Sequence, residues 1–207
     1  QLLVFKVPDD TFYDPEQQTD LRLVFLNEDR SPLDAHHWLQ FDSKNKEFYG
    51  VPMVPQQHKF EERYVLVAYD KADLTANDAL IVEISNKHYR QDYSATFEFQ
   101  LDTPYEQFQL AATKRRFLER VATFFEDIDT DQLVMKSVKK ISSLGRIAVT
   151  IQNTTLYNEG EMCPKQRIRT LKSQLVAEDG SVQDGIKQAL GSEFNVLKIA
   201  VARAGKH

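Results

Sequence analysis

A turn that leads into an alternating strand contains residues whose types and spacing could support covalent chemistry. Residues 142–155 read SSLGRIAVTIQNTT, with two serine hydroxyls before a glycine–arginine pair. A serine hydroxyl is a potential nucleophile toward a nearby backbone carbonyl. Arg146 directly follows Gly145, and its guanidinium has no hydroxyl and remains a cation at physiological pH. Gly145 also fits an ordinary hairpin turn, because glycine adopts positive φ without a Cβ penalty.

Two further residues of the same region have side chains that can be modified covalently. Asn153 begins the sequon Asn153-Thr154-Thr155, the one Asn-X-Ser/Thr triplet in the 207 residues, and such a triplet is an acceptor signal for an N-linked glycan. Cys163 is the only cysteine, so no disulfide can form within the chain. It is either buried and reduced or paired with a cysteine outside this sequence.

The composition argues against several other kinds of protein. A net charge of -5 argues against a general nucleic-acid binder, which needs a basic face to displace counterions. We interpret the basic clusters at residues 114–116 and 136–140 as solvated faces. No apolar run approaches the roughly 20 residues that span a bilayer. With five histidines and no recognisable pair of nucleophile and base, we expect neither catalysis on another molecule nor a cofactor.

The first part of the chain is typical of short strands separated by turns. Five segments are rich in β-branched and aromatic residues and are bounded by Pro, Asp, Asn and Gly. They are residues 21–26, 38–41, 48–49, 64–69 and 79–84. Their spacing predicts an all-β sandwich over residues 1–88. The expected core consists of Phe12, Leu23, Phe25, Trp38, Phe41, Tyr49, Leu66, Ala68, Leu80 and Val82.

The second part has a different periodicity. After a polar linker that starts at Ser85, residues 95–101 alternate as a strand and residues 106–125 repeat at helical spacing. Strands at 133–141 and 147–156, helices at 164–176 and 182–190, and a strand at 194–202 follow. This order predicts a ferredoxin-like α+β domain over residues 89–207, with both helices on one face of an antiparallel sheet. The predicted fold class is therefore all-β plus α+β.

Several motifs, co-linear over nearly the whole chain, resemble the dystroglycan family. In the first half they are VPDDTFYD from residue 7, HWLQFD from 37, FYGVP from 48 and AYDKADLTANDA from 68. In the second half they are IQNTTL from 151, CPKQRI from 163, AEDG from 177 and KIAV from 198. The first half is similar to that family's cadherin-like, Ig-like domain, and the second half is similar to its SEA-type domain.

The resemblance implies a non-catalytic stem on the extracellular side of the plasma membrane, excerpted from a longer single-pass membrane protein. A mucin-like region upstream would carry the matrix-binding sugars, and a membrane helix and dystrophin-binding tail would lie downstream. Matrix proteins and dystrophin would thus bind parts outside this segment. Sarcoglycan-like subunits would be neighbours at the membrane surface.

The resemblance also assigns roles to individual residues. In vertebrate members of the family a strained Gly-Ser bond is cut at this turn by the serine hydroxyl. Gly145 occupies the glycine position but Arg146 replaces the serine, so we expect no self-cleavage. Asn153 matches a glycosylation site of the family, and Cys163 matches a cysteine whose disulfide partner would lie outside this fragment.

Two alternative functions remain open at this point. A self-cleaving domain could use another hydroxyl, such as Ser142 or Ser143, although neither follows a glycine. A calcium-dependent adhesion module could use Asp70, Asp73 and Asp78, which resemble acidic positions of cadherins and are weak metal candidates. Against this, the Asp-X-Asn-Asp linker motif of cadherins is absent after Ile84.

Overall fold

The structure, a computed structural model, describes residues 1–53, 60–84, 95–126, 129–141, 145–156 and 164–203. The chain divides into two compact units, Leu3–Lys87 and a second unit of His88–His207 with Gln1–Leu2. The domain boundary predicted between residues 88 and 89 lies outside the described residues.

The first unit contains two three-stranded antiparallel sheets. Its strands are β1 (Leu3–Lys6), β2 (Arg22–Asn27), β3 (Leu39–Asp42), β4 (Glu47–Gly50), β5 (Phe60–Tyr69) and β6 (Thr75–Ile84). One sheet has the order β1-β4-β3 and the other has the order β2-β5-β6. Proline and aspartate in the connections end the strands, since proline cannot donate to a ladder and aspartate binds turn amides with its side chain.

The core of the first unit is apolar and mostly follows the sequence prediction. Leu23, Leu66 and Ala68 are buried, and the other expected residues pack against them, except Tyr49. Tyr49 is only partly buried, and Phe48 takes the inward position with 3% of its surface exposed. Alternate strand residues face opposite sides of a sheet, so β4 buries Phe48 and Gly50 and turns Tyr49 away from the core.

The second unit is a four-stranded antiparallel sheet combined with helices. Its elements are β7 (Ala95–Leu101), α1 (Tyr105–Gln109), α2 (Ala111–Phe124), β8 (Leu133–Lys140), β9 (Ile147–Asn153), α3 (Lys165–Leu175), α4 (Asp184–Leu190) and β10 (Val196–Arg203). The sheet order is β10-β7-β9-β8, which is the ferredoxin-like topology. Together the two units confirm the prediction of all-β plus α+β.

One helix predicted as continuous is interrupted. The periodicity favoured a single helix over residues 106–125, but Leu110 is extended, with φ -60° and ψ 132°, and separates α1 from α2. The Leu110 carbonyl accepts the amides of Thr113 and Lys114, so Leu110 is the N-cap of α2. The break places Phe108 edge-to-face on Phe117, with ring centroids 5.5 Å apart, in the core beneath the sheet.

No helix within the described ranges is long and apolar enough to cross a bilayer.

Candidate functional site

The turn before β9 is the end of an intact hairpin. In the β8–β9 ladder Lys140 lies opposite Ile147, and beyond it the amide of Ile141 donates to the carbonyl of Arg146 at 3.0 Å. Gly145 has φ +83°, and a Cβ built on it would meet no atom within 4 Å. Glycine is therefore required here for its backbone conformation and not for space.

The chemistry available at this turn follows from Arg146. Its side chain is exposed and provides no hydroxyl next to the Gly145 carbonyl. Its own carbonyl closes the hairpin through the bond to Ile141. Ser142 and Ser143, the alternative hydroxyls, lie outside the described residues.

Asn153 is buried at the end of β9. It pairs with Leu133 of β8, and none of its surface is exposed. Its Oδ1 accepts two hydrogen bonds from Thr155, one from the backbone amide at 2.9 Å and one from Oγ1 at 2.7 Å. Its Nδ2, the atom that would carry a glycan, is buried and has no hydrogen-bond acceptor among the described residues. A buried donor without an acceptor is uncommon and costs about 1–3 kcal/mol.

The residues after Asn153 form a 3₁₀ turn, Thr154–Leu156. Thr154 Oγ1 lies 3.0 Å from the carbonyl oxygen of Gln132 and 2.8 Å from its Oε1. Arg167 Nη1 of α3 donates to the carbonyl of Thr155 at 3.0 Å, and Leu156 is 1% exposed. The strand was predicted to continue to residue 156, but side-chain bonds to the local backbone end it at Asn153.

Cys163, the predicted half of an external disulfide, lies outside the described residues. The carbonyl of Pro164, the next residue of the chain, accepts the amide of Ile168 at 3.0 Å at the start of α3.

The three aspartates considered for calcium each make separate contacts. Asp70 Oδ1 accepts the amides of Ala72 and Leu74, both at 2.8 Å, inside the β5–β6 turn. Asp73 has φ +60° and lies 3.7 Å from Arg22. Asp78 Oδ1 accepts the amide of Ala79 at 2.9 Å, three residues beyond the start of β6 and about 10 Å along the strand. The described residues contain no group of three or more metal-binding side chains.

Sequence reasoning missed a polar network in the first unit. Trp38 Nε1 donates to Glu62 Oε2 at 2.6 Å, Tyr64 also donates its hydroxyl to that oxygen, and His37 Nε2 lies 2.7 Å from the Tyr64 hydroxyl. Burial raises the pKa of Tyr64, and the hydrogen bond to Glu62 raises it further. The network ties β5 to the segment before β3. The spacing of Glu62 and Tyr64, which puts them on one face, was the available sequence signal.

A second network, also missed, stabilises the α+β unit. Glu193 accepts hydrogen bonds from Arg116 Nη2 at 2.6 Å and Nε at 3.1 Å, and lies 3.1 Å from Arg120 Nη2. The hydrogen bonds from Arg116 hold the pKa of Glu193 below its ordinary value. Arg120 Nη1 also donates to the carbonyl of Leu190 at 2.6 Å. The ion pairs thus join α2 to the segment that precedes β10.

Comparison with known protein families gives two matches that cover most of the chain. The family described as alpha-dystroglycan third Ig-like domain matches residues 1–85. The family described as dystroglycan domain 4 matches residues 95–206, which is more than half of the chain. Both matches agree with the resemblance drawn from the motifs, and the chain belongs to the dystroglycan family.

Proposed function

We propose that this chain is the non-catalytic extracellular stem of a dystroglycan-like receptor and that its polypeptide stays uncut at the Gly145–Arg146 bond. The stem would carry tension between matrix and membrane. The observation that carries the proposal is Arg146, which follows the turn glycine inside a closed hairpin and has no nucleophilic hydroxyl.

The remaining features of the receptor come from family membership. A mucin-like region upstream and a membrane helix downstream would place the segment outside the plasma membrane, with sarcoglycan-like subunits beside it. Matrix proteins and dystrophin would bind elsewhere on the full protein. Asn153 would receive its glycan during entry into the secretory pathway, and Cys163 would pair with a cysteine beyond this segment.

The sheet order explains what cleavage at this turn would change. A cut between residues 145 and 146 separates β7 and β8 from β9 and β10. Since the order is β10-β7-β9-β8, each of the three ladders in the sheet joins one fragment to the other. The fragments would therefore remain associated through the whole sheet, whereas the uncut chain adds a covalent link.

The test is the intact mass of the chain secreted from animal cells, measured under denaturing and reducing conditions before and after removal of N-glycans. We expect one full-length species. Arg146→Ser restores a glycine–serine pair and should give two fragments, whereas Arg146→Ala, which removes the guanidinium without adding a hydroxyl, should stay intact.

Two outcomes count against the proposal. Fragments from the unaltered chain that meet near Gly145 would show that another group cuts it. An Arg146→Ser variant that folds and stays intact would show that the missing hydroxyl is not what keeps this chain whole.

A further inference from the structure

We propose that a glycan on Asn153 and the closed Thr154–Leu156 turn exclude each other, so that the folded unit hides this sequon and a chain glycosylated there keeps the turn open. The inference deepens the proposed function, because it rests on entry of the chain into the secretory pathway. It concerns when this site can be modified and what modification does to the fold.

The reaction requires direct access to one atom. An oligosaccharyltransferase catalyses attack of the asparagine Nδ2 on C1 of the first sugar of a dolichyl-pyrophosphate oligosaccharide. The C–N bond forms, the bond from C1 to the pyrophosphate oxygen breaks, Nδ2 loses one proton, and the lipid pyrophosphate leaves. Nδ2 of Asn153 is fully buried, so neither donor nor enzyme can reach it in this conformation.

The hydrogen bonds of the Asn153 Oδ1 are not particular to this buried site. In the sequon the asparagine Oδ1 accepts both the amide and the hydroxyl of the residue two positions on. Two exposed turns repeat this arrangement with aspartate. Asp179 Oδ1 accepts the amide of Ser181 at 2.9 Å and its hydroxyl at 2.6 Å, and Asp29 does the same with Ser31 at 2.9 and 2.5 Å. Asn153 differs from both in its burial.

Three contacts hold the Thr154–Leu156 turn in place next to the Asn153 side chain, whose Oδ1 the turn binds through Thr155. Thr154 bonds Gln132, Arg167 bonds the carbonyl of Thr155, and the Leu156 side chain is packed in the interior. An oligosaccharide on Nδ2 needs a path to solvent. In the closed conformation Nδ2 has no solvent exposure, so no such path exists. The sugar must therefore be attached before the turn closes, and once attached it prevents closure.

The unpaired amide gives a physical reason for the turn to open. In the closed state Nδ2 has no acceptor among the described residues, so the unmodified chain leaves both of its N–H groups unsatisfied there. Attachment of the sugar removes one of these N–H groups and exposes the other to water. Opening therefore relieves part of the cost that closure imposes on Asn153.

The two exposed aspartate turns provide matched controls. Asp179→Asn creates an Asn-Gly-Ser sequon over residues 179–181 in the same unit, and Asp29→Asn creates an Asn-Arg-Ser sequon over residues 29–31 in the other unit. Each substitution keeps the Oδ1 acceptor of its turn. The two variants thus present the same pair of Oδ1 hydrogen bonds as the natural sequon without its burial, around a central residue at positive φ (Arg30 +66°, Gly180 +85°).

The first experiment uses the folded 207-residue chain carrying both substitutions, produced in bacteria without glycans. It is incubated with an oligosaccharyltransferase and a lipid-linked oligosaccharide, and occupancy at each site is read by peptide mass. We expect at least about tenfold faster transfer to residues 29 and 179 than to Asn153, and comparable transfer to all three in the unfolded chain. Comparable transfer to Asn153 in the folded chain overturns the inference.

The second experiment examines the chain secreted from animal cells. Intact mass first establishes whether Asn153 is occupied, and a vacant site refutes the proposed glycosylation while the transfer experiment still tests the burial. In the occupied chain we expect hydrogen exchange at the Thr155 amide to be at least about tenfold faster than in the bare chain, with β9 amides from Val149 to Ile151 unchanged. An occupied chain with an equally protected Thr155 amide overturns the exclusion.

Discussion

Replacement of Leu156 by alanine tests whether this side chain holds the turn over Asn153 closed. Leu156 is 1% exposed and is the innermost residue of Thr154–Leu156. Leucine to alanine removes three carbon groups, worth about 0.8 kcal/mol each, or about 2.4 kcal/mol. The cavity left behind raises the cost to about 3 kcal/mol, within the range for buried leucines.

That free energy sets the size of the expected effect. About 3 kcal/mol corresponds to about a 100-fold change in an equilibrium constant. If the lost free energy weakens only the closure of the Thr154–Leu156 turn, the open fraction of the turn rises by that factor. The hydrogen-exchange rate of the Thr155 amide, which donates to Asn153 Oδ1, then rises by the same factor. Transfer of a glycan to Asn153 in the folded chain should rise in parallel.

The control is Leu197→Ala in β10, because Leu197 is 40% exposed and its truncation should cost only about 1.4 kcal/mol. Hydrogen exchange at the Thr155 amide and chemical unfolding are measured on both variants. If Leu156→Ala changes exchange at this amide by no more than Leu197→Ala does, Leu156 does not hold the turn closed and the reasoning fails.

Three further predictions follow from the charges and the topology. Because the pKa of Glu193 is lowered in the folded state, its carboxylate stabilises the α+β unit at pH values above the pKa of glutamate in the unfolded chain, about 4.3. This stability is lost as the pH falls through the lowered pKa. Glu193→Gln should therefore make the free energy of unfolding smaller at pH 7 and less dependent on pH below 5. Calcium at millimolar concentration should leave the melting temperature unchanged, because the three candidate aspartates make separate contacts. A tightly bound ion would instead raise the melting temperature. Pulled from residues 95 and 203, the uncut unit should extend by about 370 Å and refold on relaxation, whereas the cut Arg146→Ser form should separate.

The sequence predicted the elements well where hydrophobic periodicity was unambiguous. β7 has the predicted bounds because its alternation is strict, with each second residue buried. For adjacent aromatic residues it was harder to predict which one faces the core. Phe48 and Tyr49 both suit a strand, and a one-residue shift in strand register exchanges the faces on which they lie. Leu110 was missed because helical spacing continues across it, while its extended backbone satisfies amides that periodicity does not reveal.

The candidate site was predictable in its chemistry but not in its environment. The residue types alone show that the position after Gly145 is Arg146 and has no hydroxyl. The triplet at Asn153 is likewise a glycosylation signal that can be read from the sequence. The burial of Asn153 could not be predicted, because it is a result of tertiary packing around the end of β9, where Asn153 pairs with Leu133 of β8. Threonines also favour strands, which concealed the turn that ends β9.

Under the proposed function, an uncut Gly145–Arg146 bond changes how the α+β unit responds to load more than how it folds. Ala95, the first residue of β7, lies opposite Arg203, the last residue of β10, so these two strand ends lie side by side. Tension on those ends breaks the β7–β10 hydrogen bonds one after another, because each pair is loaded only when the previous pair has parted. At rest, a cut sheet and an uncut sheet have the same three ladders. Once those ladders part, a cut protein has no bond left across the junction, whereas a chain that is left uncut at Gly145–Arg146, as proposed, stays continuous and can refold.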